Sequence, residues 1–136
     1  GMHGECVGVG TIMCARAYHE YAKRETIEVK PYEPLDEAWV KAVFGDLAGG
    51  IFKENENDVL KTFDPENIKT HWQEIRDIIA TIPTAEELIA LYTKIGAKHS
   101  LAELDIDESV RDDFLDISSA IRNRLTFARM TRLIVK

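Results

Sequence analysis

The chain has 136 residues, 45% of them apolar, a length and composition that suit one compact core and argue against disorder. Its 17 basic and 24 acidic side chains leave a net charge of −7, which repels phosphate backbones. No basic stripe interleaved with aromatics offsets that charge, so nucleic acid is not an expected partner.

The opening segment, Met2-His3-Gly4-Glu5-Cys6-Val7-Gly8-Val9-Gly10-Thr11, puts a histidine beside a glycine at the head of an apolar, helix-periodic stretch. Val7, Thr11 or Ile12, Ala15, Tyr18 and Ala22 recur at three- to five-residue steps and predict a helix over residues 7–24. Residues 26–33 are β-branched and punctuated by Pro31 and Pro34, which predicts an extended linker. Residues 36–48 form the next predicted helix, with Ala38, Val40, Val43, Phe44 and Leu47 apolar and Gly49-Gly50 as its stop. A short polar helix is expected over residues 55–63. Asp64-Pro65 then has the chemistry of a helix start, since Asp accepts from free N–H groups and Pro fits the first turn.

The helix that follows carries Ile68, Trp72, Ile75, Ile79 and Ile82 and ends at Pro83. Thr84-Ala85-Glu86-Glu87 is a capping-box pattern opening a helix with Leu88, Leu91, Tyr92 and Ile95 inward and Gly96 as terminator. Ser100-Leu101-Ala102-Glu103 repeats that pattern for a single turn. Asp107 caps a last helix, or a pair bending near Asn123, that carries Val110, Phe114, Ile117, Ile121, Leu125 and Leu133. No alternating strand, internal repeat or Gly-rich dinucleotide turn is present. The expected fold class is all-α: an irregular bundle of about six helices forming a single domain over residues 1–136.

No apolar run approaches the roughly 20 residues of a membrane span, and the N-terminus lacks the charged-then-apolar pattern of a signal peptide. Gly1 before Met2 reads as the remnant of a cleaved tag. Cys6 and Cys14, eight apart on one predicted helix, stand roughly 12 Å apart along its axis, too far for a disulfide. They read as buried or half-buried thiols of a cytoplasmic protein.

The histidine-glycine segment around His3 resembles that of the sn-glycerol-1-phosphate dehydrogenases, relatives of glycerol dehydrogenase, dehydroquinate synthase and the iron-containing alcohol dehydrogenases. Gly96 to Leu104 is similar to that family's loop before its terminal helices, and Ile121-Arg122-Asn123-Arg124-Leu125-Thr126 to the turn introducing its last helix. With the helix holding Trp72, these features follow the family's order along nearly the whole chain.

The resemblance implies the helical C-terminal domain of the dehydroquinate synthase-like fold. It also implies that His3 is one ligand of a catalytic divalent metal, zinc, nickel or iron. In the family, an aspartate and another histidine upstream complete the metal site, and an N-terminal nucleotide-binding domain holds NAD(P). Neither is found in this chain, which is expected to begin inside an active site. The resemblance implies further that the whole enzyme reduces dihydroxyacetone phosphate, the metal acting on its carbonyl oxygen while NADH or NADPH supplies hydride. The expected partner is the missing nucleotide-binding domain or a second copy. The alternative is a free-standing helical interaction module that kept the fold and lost the chemistry.

Other residues admit plainer readings. Glu5 is either a partner of His3 or an acid favouring a helix N-terminus. Gly4, Gly8 and Gly10 are either points of close ligand approach or helix-packing glycines. His19 and His71 read as solvent-facing and His99 as a loop residue, none at metal-like spacing. Arg122 and Arg124 suit a phosphate, but ion pairs with Asp112, Asp113 or Asp116 are the ordinary explanation. The acidic run from Glu54 to Asp58 reads as a solvated face. Trp39 and Trp72 read as core. Cys14 and His19, five apart, share a helix face too poorly for a nucleophile and its base.

Overall fold

In the computed structural model, residues 3–96 and 110–136 are described, with side chains described for residues 9–96 and 113–136. Their elements are helical apart from one isolated antiparallel bridge between Val29 and Ile134. The helices are α1 (His3–Ala22), α2 (Glu37–Phe44), α3 (Ala48–Glu54), α4 (Glu66–Thr70), α5 (Trp72–Ile79), α6 (Ala85–Ile95), α7 (Val110–Ala120) and α8 (Phe127–Met130). Short 3₁₀ turns at Gly45–Leu47, Val59–Thr62 and Thr131–Leu133 join some of them. The expected all-α class is what the chain adopts. Two expected helices are each split by a turn. Among the described residues, no helix is long and apolar enough to cross a membrane.

The chain divides into two compact units: Gly1–Glu25 with Gln73–Phe114, and Thr26–Trp72 with Leu115–Lys136. In the first, α1 runs unbroken for 20 residues and packs on α6. Val9 and Met13, one helical turn apart, are buried together against Phe114. The far end of α1 is closed by another helix: Arg76 Nε of α5 donates to the Ala22 carbonyl at 2.8 Å, satisfying an acceptor that a helix C-terminus leaves free. The capping box at Thr84 is complete. The Glu87 N–H donates to the Thr84 hydroxyl at 3.1 Å, and the Thr84 N–H donates back to the Glu87 carboxylate at 3.5 Å. Gly96 ends α6 at φ 75°, a left-handed position where a side chain would be strained. Leu91 and Ile95, expected inward, are 50% and 67% exposed.

In the second unit, Val40 of α2, Ala48 and Ile51 of α3 and Ala120 of α7 form a buried cluster, with Leu35, Trp39, Phe44 and Phe52 packed around it. Asp36 caps α2 by accepting from the Ala38 and Trp39 N–H groups. The helix stops earlier than expected, at Gly45, whose φ of 53° a side chain would resist. Gly49 and Gly50, expected as the stop, lie inside α3. Asp64 accepts from the Glu66 N–H at 3.0 Å, as its position beside Pro65 predicts. The helix it starts breaks at His71, separating α4 from α5.

The extended residues 26–35 are held by the C-terminus, Lys30 N–H donating to Leu133 O at 2.8 Å and Val135 N–H to Glu28 O at 2.9 Å. Of the segments expected, the capping pattern at Ser100, the Asp107 cap and His99 lie outside the described residues.

Because Gly49 and Gly50 are helical, without positive φ, and a Cβ on either meets nothing within 4 Å, alanine fits at both. The expected outcome is a gain of about 0.5–1 kcal/mol per substitution in urea unfolding. A loss at either position would mean that the chain does not continue as helix there.

Candidate functional site

His3 occupies the first turn of α1, so the helix begins at the histidine-glycine pair rather than four residues later as the periodicity predicts. Glu5 shares that first turn. The side chains of His3, Glu5 and Cys6 lie outside the described residues, as do those of Arg111 and Asp112. Gly10 faces the ring of Phe114: a Cβ built on it would stand 3.8 Å from Cζ, an ordinary packing distance. Among the described residues, no three His, Cys, Asp or Glu side chains come together to hold a metal ion.

Toward the other end of α1 lies an open groove of about 470 Å³, bordered by Arg16, His19 and Lys23 of α1, Gln73 and Arg76 of α5, and Thr84 at the head of α6. His19 is not the solvent-facing residue that was expected. Its Nε2 is 2.9 Å from the Ile82 carbonyl, a hydrogen bond that ties α1 to the turn before α6. The Lys23–Glu20 pair, 2.7 Å long, is exposed on both sides and contributes little, since water screens it. Arg76 spends its guanidinium on Ala22 O and on Gln73 Oε1. Cys14 is half-buried. Burial pushes its thiol above the ordinary value, against a smaller opposing hydrogen bond with Tyr18.

Among the described residues, the densest buried chemistry lies in the second unit, at residues that the sequence places on a solvated face or does not single out. The side chains of Asp58 and Arg129 are 1% and 0% exposed and meet at 2.9 Å. Arg132 Nη1 donates to the second carboxylate oxygen of Asp58 at 2.8 Å. Arg129 Nη2 donates to the Ser119 carbonyl at 2.6 Å and the Arg122 carbonyl at 2.7 Å, at the end of α7. Its Nη1 lies beside Asp58 without the direction of a hydrogen bond, and its Nε has no acceptor, so the contact with Asp58 is chiefly a charge attraction.

Asp58 Oδ1 also accepts from the Leu60 N–H at 2.9 Å, capping the 3₁₀ turn there. Around this core, Asn55 Nδ2 donates to the Ala120 carbonyl, and Asn123 receives the Val59 N–H while donating to Asn57 O. Burial alone would raise the Asp58 carboxyl. The Leu60 N–H, the Arg132 hydrogen bond and charge, and the Arg129 charge outweigh burial and hold it below the ordinary range. Arg122 and Arg124, singled out from sequence, are exposed, whereas Arg129 and Arg132 carry the buried network. A signal for Arg129 was available: it is a charge set among Phe127, Ala128 and Met130, four residues that a Thr126 cap makes helical.

This network accounts for shape rather than reaction. Its carboxylate accepts from the Leu60 N–H and Arg132, and Arg129 Nη2 points at the protein's own carbonyls. No family model, no curated protein and no solved structure matches the chain.

Two measurements bear on these groups. Asp58→Asn keeps an oxygen for the Leu60 N–H but leaves Arg129 buried without a counter-charge, and is expected to cost about 3–5 kcal/mol in urea unfolding. Because the folded Asp58 titrates below the unfolded value of about 3.9, its stabilisation is complete above that value and is lost as pH falls through the folded one. Urea melts between pH 7 and pH 2 should therefore show a steeper acid limb in the native chain than in the variant, and equal limbs would refute the pairing. At pH 7, Cys14 should alkylate at least about 10-fold slower than an exposed cysteine, read by mass spectrometry, because its thiolate is scarce. Rapid labelling would restore a nucleophilic role.

Proposed function

We propose that this chain is the helical, metal-site half of a metal-dependent, NAD(P)-linked glycerol-1-phosphate-type dehydrogenase, and that it does not catalyse alone. The observation that supports this reading is the placement of His3-Gly4 in the first turn of a 20-residue helix whose next turns, at Val9 and Met13, are packed against Phe114. A ligand histidine needs a backbone that does not wander, and a helix rooted in a core supplies one. The all-α architecture agrees with the helical half of such an enzyme, though many unrelated proteins share it. On this reading, His3 contributes one ligand, and the remaining ligands, with the nucleotide-binding domain, come from outside these residues.

A second reading, a helical interaction module, draws on Ile78, Leu91 and Ile95, which leave large apolar side chains in water on α5 and α6. It predicts a chain that self-associates or captures a protein partner and has no use for His3.

Mixing the chain with the separately produced nucleotide-binding half of a glycerol-1-phosphate dehydrogenase distinguishes the two. The expected result is zinc retained on gel filtration and oxidation of NADH or NADPH that depends on dihydroxyacetone phosphate. Both should fall by at least about 100-fold in His3→Ala, more than the loss of a supporting residue costs. Folded halves that associate and remain inactive, with or without His3, would overturn the dehydrogenase reading.

A further inference from the structure

We draw no further inference here: the strongest candidate, the open groove along the C-terminal half of α1, sets Arg16, Lys23 and Arg76 against Glu20, Asp77 and Glu86 and leaves no buried polar side chain of its described lining unpartnered, so nothing in the structure shows what would occupy it.

Discussion

Arg129 is a permanently charged group with no contact with water, and the second unit is arranged around meeting its needs. Removing a guanidinium from solvent costs several kcal/mol unless a counter-charge and acceptors replace the lost hydration. Asp58 supplies the counter-charge, and the carbonyls of Ser119 and Arg122 supply the acceptors. Those carbonyls belong to the end and exit of α7, where a helix leaves its last acceptors free and carries partial negative charge. Arg129 Nη2 thus serves the helix terminus while Asp58 meets the charge, and Nε and Nη1 are left without a hydrogen-bond acceptor. Asn55 completes the closure by donating to Ala120 O.

The consequences reach the chain's extended segment. Arg132, three residues beyond Arg129, shares Asp58 and donates through Nη2 to the Glu33 carbonyl at 2.9 Å. Its guanidinium carbon also stands 5.8 Å from the centre of the Tyr32 ring. The same stretch places Leu133 and Ile134 in the core and leads Val135 to its backbone bond with Glu28. Residues 26–35, which by composition are a linker, therefore gain partners for their backbone from the opposite end of the chain. A loop so held behaves as part of the packed unit.

What was legible in the sequence follows from how far each signal reaches. The Thr84 capping box and the Asp64-Pro65 start involve atoms within three residues, and each is found where the residues place it. The Gly49-Gly50 stop failed because two glycines weaken a helix without ending one, whereas Gly45 ends α2 by adopting a φ of 53°. Asp58 reads as solvated because its neighbours Glu54 and Glu56 are, and its partner Arg132 lies 74 positions away. His19 misled for the same reason: its acceptor, Ile82 O, is 63 positions distant. Leu91 and Ile95 show the converse, a clean apolar stripe whose outer members meet water.

The geometry of α1 constrains any chemistry assigned to the first unit. At 1.5 Å per residue, its 20 residues span about 30 Å, so His3 and the groove around His19 and Lys23 stand at opposite ends of one rod. Even Arg16, the groove residue nearest His3 in sequence, is about 20 Å along the axis, several times the reach of a shared hydrogen bond or metal ligand. The groove's basic residues therefore cannot complete a site at His3, and His3 cannot borrow His19 as a second ligand. What the groove end does provide is anchorage: Arg76 closes the helix terminus, and the His19–Ile82 bond ties its last turns to the turn before α6. The Val9 and Met13 contacts with Phe114 then hold the helix two turns from His3. If His3 is a ligand, α1 acts as a strut fixed along its length with its working group at the tip, and every other ligand must come from residues that meet that tip.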